Sequence, residues 1–105
     1  MMYKPDGWVV LKITHNDKTF YKLFGAWRGG YLEGDHWRIN SGITSVESDD
    51  NFYYFYGQSG SIYRVAKETY GYLGNYNSGI LGWWVKEYGA EVMHRDTNWL
   101  EVKYD

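Results

Sequence analysis

The chain has 105 residues, no Cys, and a formal net charge of −2 from 11 Lys and Arg against 13 Asp and Glu. That length bounds it to a single domain, 1–105, built on one hydrophobic core. The acidic balance argues against duplex nucleic acid as a partner, and the missing Cys removes thiolate nucleophiles, disulfides and Cys-ligated zinc. Phe, Trp and Tyr make up 21% of the residues, with 12 Tyr and 6 Trp. Each ring buries a large area, so a core of this size needs fewer, and some rings are expected at the surface. No run approaches the length of a membrane span or a signal peptide, so a soluble intracellular protein is expected.

Along the chain, "WVVLKIT" (8–14) alternates as a strand, with Val9, Leu11 and Ile13 on one face. "HNDK" is a turn, because Asn and Asp tolerate left-handed backbone. "TFYKLFGAW" (19–27) returns as the second strand of a hairpin, where Gly25 predicts a bulge or a close approach by another backbone. After the loop "RGGYLEGD", "HWRIN" (36–40) places Trp37 and Ile39 on one face and His36, Arg38 and Asn40 on the other. "GITSVE" and "FYYFY" are strands joined by the turn "SDDN". The latter is aromatic on both faces, as a central or covered strand would be.

"GQSGS" (57–61) is a tight turn before the strand "SIYRVA", and "KETYGYLGNYNS" (67–78) has no usable period and reads as a loop. From 79 to 88, Ile80, Leu81, Trp84, Val85 and Tyr88 fall on one arc at helical spacing. Ser78 suits the amino cap, and Gly89 suits the left-handed residue after the last turn. "AEVMHR" and "WLEVKY" read as a final hairpin. About eight short strands and one helix near 79–88 give an α+β fold, mainly an antiparallel, strongly twisted sheet. A small β-barrel plugged by the helix is the alternative.

Two Trp-Arg dipeptides, Trp27-Arg28 and Trp37-Arg38, flank "GGYLEGD". Arg forks pair with phosphate or carboxylate, while Trp and Tyr31 offer flat surfaces and Asn40 and Ser41 offer polar contacts. The competing structural role puts both indoles in the core, pairs the arginines with Glu33 or Asp35, and makes Asn40 and Ser41 turn residues. "GQSGSIYR" is a second candidate. Its glycines suit a backbone nest for an anion, with Ser59, Ser61 and Arg64 nearby, although a plain hairpin turn explains it equally well. His15, His36 and His94 are scattered without metal-ligand spacing, so no catalytic residue, metal or cofactor is assigned. Trp83, beside Trp84 at the edge of the apolar arc, belongs to the core or to a contact with a second subunit in a homo-oligomer.

The blocks "KPDGWVVLKI" (4–13), "GDHWRINSGI" (34–43) and "YYFYGQSGSIYR" (53–64) resemble a family of small uncharacterised proteins encoded by tailed bacteriophages, over roughly the first two-thirds of the chain. The resemblance implies a phage accessory protein acting in the cytoplasm of an infected bacterial host. It brings no enzyme activity and no site residues. The leading expectation is a non-enzymatic counter-defence protein that sequesters a nucleotide-like signalling molecule, held by Trp27, Arg28, Tyr31, Trp37, Arg38, Asn40 and Ser41, with Tyr63 and Arg64 outside them. The alternatives are a protein-binding inhibitor of a host or defence enzyme, whose Tyr-, Ser- and Asn-rich loops resemble a paratope, and a carbohydrate-binding module.

Overall fold

A computed structural model describes residues 1–29 and 34–104, and within them the expected α+β class is observed. Eight strands and one helix follow in the order β1 (Met2–Tyr3), β2 (Gly7–His15), β3 (Lys18–Arg28), β4 (Asp35–Ile39), β5 (Ile43–Ser48), β6 (Phe52–Gly57), β7 (Ile62–Ala66), α1 (Asn75–Tyr88) and β8 (Glu91–Val92). The strands form two open sheets, β1-β7-β6-β5 and β4-β3-β2-β8, rather than one sheet or a closed barrel. All pairings between named strands are antiparallel except β1 with β7.

The long β2–β3 hairpin turns on Asn16 and Asp17, at φ 50° and 63°. Two consecutive left-handed residues match the strand twist, which explains why these two residue types stand there. The "SDDN" turn is held by Asp49, whose carboxylate accepts from the Asn51 and Phe52 N–H groups at 2.9 and 2.8 Å and from the Tyr54 hydroxyl. Those hydrogen bonds, led by that of Phe52, lower the Asp49 pKa.

Residues 7–11 of β2 are all buried, so this strand is covered on both faces. On one face Trp8 meets Tyr53 and Phe55 of the other sheet, together with Tyr70 and Trp99, at ring-centroid distances of 4.7–5.9 Å. On the opposite face Phe24 stacks on Trp37, which in turn meets Trp84 of α1 edge-on. The order of layers is therefore sheet, sheet, helix. Gly7 is required by this packing, because a Cβ there would lie 1.7 Å from the Tyr72 carbonyl oxygen. At Gly25 the close approach is made by the Pro5 ring, 3.1 Å from where a Cβ would stand, and not by another backbone.

Three expectations are corrected. The helix begins at Asn75, not 79, with Gly74 before it, and Ser78 lies inside the first turn, its N–H bonded to the Gly74 carbonyl. The cause is Asn77, fully buried, whose side-chain amide donates to the Leu73 and Trp27 carbonyls and ties the helix start to β3. The stretch 67–78 is accordingly a 3-10 turn, a short loop and the first turn of α1. The final hairpin is absent: only Glu91–Val92 pairs, and the chain then folds through two tight turns. Trp99 is the buried residue of this segment, at 2% exposure, while Leu100 is 53% exposed. One indole against three core rings, Trp8, Phe55 and Tyr70, outweighs the three-residue alternation that predicts a strand. "FYYFY" is the central strand β6, as its two aromatic faces predict.

Candidate functional site

Strands β3 and β4 pair with Trp27 opposite His36 and Gly25 opposite Arg38. Residues directly opposite in a pair project to the same side, so Trp27, His36 and Arg38 share the face that looks toward the other sheet. The Trp27 and His36 rings stack at 5.1 Å, only 5° from parallel. From the edge of the other sheet, β1 and the residue after it bring Met2, Tyr3 and Lys4. Tyr3 meets Trp27 edge-on at 6.4 Å, and the Arg38 guanidinium lies over the Tyr3 ring at 4.5 Å. Together with Trp37 these residues line an open groove of about 490 Å³ between the two sheet edges.

Tyr63 supports the groove from below. It is buried, packs 5.0 Å from Tyr3, and burial pushes its phenol up to about 12 against the opposing pull of Arg38. Among the described residues the lining contains Lys4, His36 and Arg38 but no carboxylate. Among the described residues the one contact within 4.0 Å between a basic and an acidic side chain is His94 with Asp96, away from the groove, so no described carboxylate pairs with Lys4 or Arg38. Rings and cations on one concave surface favour a flat anion.

The structure brings together three of the residues predicted from the Trp-Arg pairs: Trp27, Arg38 and, at the border, Trp37. The Trp37 ring itself turns to the helix side, stacked on Phe24 at 5.5 Å, because it alternates with its neighbours on β4. Arg28 is on the wrong face for the groove. Its Nε and the Asp35 carboxylate both flank Gly74 at the start of α1, and its backbone N–H donates to Asp6. Asn40 is 3% exposed, with its side-chain oxygen accepting from the Leu23 N–H at 2.9 Å. It extends the β3–β4 ladder by one rung and is not part of the groove lining. Ser41 accepts from the Ser59 N–H and thereby joins two turns. Tyr31 lies outside the described residues.

The anion nest at "GQSGS" is also corrected. The N–H groups of Gly57, Gln58, Ser59 and Gly60 already donate to Ser61, Gly42, Ser41 and Gly57, so no run of successive N–H groups is left to converge on a guest. Arg64 points to the outer face of its sheet, 4.3 Å over Phe52. Tyr63 contributes by holding Tyr3 and not by contact with the groove.

Sequence reasoning missed Tyr3 and Lys4, since a two-residue strand carries no period. His36 is also absent from the predicted set, although alternation along "HWRIN" sets it beside Arg38 and could have found it. The three histidines stay apart: His36 on Trp27, His94 beside Asp96, and His15 at the end of β2.

The surplus of rings lies elsewhere. Of the five rings classed as exposed among the described residues, Tyr72, Tyr76, Trp83 and Tyr88 fall between 72 and 88, and Phe20 is the fifth. No described helix is long and apolar enough to cross a membrane. No family model, curated protein or solved structure matches the chain.

Proposed function

We propose that the protein is a non-enzymatic binding protein that sequesters a small, flat, phosphorylated ligand of the nucleotide type in the groove between β1 and β4. The observation that carries this reading is the meeting of Lys4, His36 and Arg38 with the Tyr3 and Trp27 rings, with no carboxylate among the described residues of the lining. Arg38 and Lys4 take the phosphate charge, Arg38 through a fork already oriented by the Tyr3 ring. His36 is the exposed member of the Trp27–His36 stack, so a base extends that stack on the histidine side. In the setting implied by the bacteriophage resemblance, retention of a host signalling nucleotide would blunt a defence response in the infected cell.

The test is to denature protein purified from infected and uninfected cells and identify any released compound by mass spectrometry. Binding of a panel of linear and cyclic nucleotides is then measured by calorimetry. A nucleotide held near one per chain, with affinity falling at least tenfold in Arg38→Ala and unchanged in Arg64→Ala, is expected. An empty protein that binds none of the panel, or binding indifferent to Arg38, overturns the proposal.

A further inference from the structure

Helix α1 covers the second sheet with one flank only, and its other flank is unusual in two independent respects. Tyr76 and Trp83 are 56% and 50% exposed on it. Between and beside them stand Gly79 and Gly82, where an added Cβ would meet nothing within 4 Å. Glycine is the least favourable helix residue after proline, and the isolated chain makes no steric use of either one.

Tyr76, Gly79, Trp83 and Lys86 follow at spacings of three, four and three, which places them in one stripe along the helix. Such a stripe is complementary to itself in one orientation. With two helices antiparallel about a twofold axis near Leu81, Trp83 of one copy faces Gly79 of the other, and Lys86 faces Tyr76. Each indole then enters the space that glycine leaves open, and each ammonium lies on a phenol ring. Glu87 on the flank meets Asn75, a carboxylate beside an amide donor. A parallel arrangement would oppose Lys86 to Lys86 and Gly79 to Gly79, setting like charges together and leaving a void. The match of ring to gap and cation to ring therefore selects a second copy of this chain as the occupant.

We infer that α1 is a self-association face, through which two copies of the chain pair antiparallel with Trp83 seated on Gly79. The groove between β1 and β4 lies on the opposite side of the second sheet, so this inference does not rest on ligand binding.

The full chain is examined by sedimentation equilibrium over a wide concentration range. The mass is expected to rise from 12.4 kDa toward twice that value. Gly79→Leu and Trp83→Ala each weaken association at least tenfold, while Gly79→Leu leaves thermal stability of the monomer equal or higher because it removes a helix glycine. The absence of native Cys allows a geometric check. Mixed Asn75→Cys and Glu87→Cys chains are expected to cross-link to each other on oxidation, and neither to itself. In the antiparallel pair the two 75 positions are about 18 Å apart. A monomer at every concentration, a dimer indifferent to both substitutions, or a homotypic cross-link at 75 overturns the inference. So does a monomer whose α1 face binds only a foreign protein.

Discussion

Two groups of rings in this chain have nearly the same composition and opposite fates. Trp8, Tyr53, Phe55, Tyr70 and Trp99 are packed between the two sheets, with Trp8 at 0% and Trp99 at 2% exposure. Tyr72, Tyr76, Trp83 and Tyr88, a short distance along the chain, stand more than half open or at half. Residue type does not separate them. Position does: the first group lies where two layers close, and the second lies where only one layer exists. An aromatic count therefore reports that rings are in excess and says nothing about which ones a solvent or partner meets.

The sharpest way to test that contrast is a matched pair of truncations. Trp8→Ala opens a hole among four other rings and is expected to cost about 3–5 kcal/mol, most of the stability of a domain this size. Trp83→Ala, at concentrations where the chain is monomeric, is expected to stay within about 0.5 kcal/mol. Urea unfolding followed by circular dichroism reads both, and equal losses would break the distinction. A smaller effect isolates the polar part of the buried cluster. The Tyr70 hydroxyl accepts from the Val10 N–H at 3.2 Å and donates to the Met93 carbonyl at 2.6 Å. Tyr70→Phe strands both groups and is expected to cost about 1–3 kcal/mol in the same assay.

A further effect is a pH dependence. Burial pushes the phenols of Tyr63 and Tyr70 up to about 12, above the usual value near 10. Their neutral forms are favoured in the fold, so this contribution is complete below about pH 10. It is lost as pH rises from there through about 12, as the unfolded chain ionises first. Melting temperature is therefore expected to fall on the alkaline side, and to fall less in Tyr70→Phe than in the parent chain. An alkaline slope unchanged by that substitution would show that Tyr70 is not the source.

Much of the local structure was legible. The Asn16-Asp17 turn, the strands around Val9, Phe24 and Phe55, and the stop at Gly89 follow from signals carried within a few residues of each other. The candidate site was legible in part. Trp27 and Arg38 stand out because indole and guanidinium are adjacent in two dipeptides, and alternation says that one member of each turns away, but nothing in those dipeptides reveals that it is Arg28 and Trp37 that face the helix side. Asn40 and Ser41 look like ligand contacts only until Leu23 and Ser59 are brought to them across 17 and 18 residues.

By itself the sequence determined the class, the hairpins before the helix, the body and end of the helix and the excess of rings, since period, turn chemistry and composition are local properties of the chain. The division of strands into two sheets, the burial of Trp99 in place of Leu100, and the groove that unites Tyr3 with Trp27 and Arg38 were decided by the tertiary structure. Each of these depends on surfaces from distant segments closing on one another. Apolar burial is non-directional, so the pattern along one strand states that a face must be covered without naming what covers it.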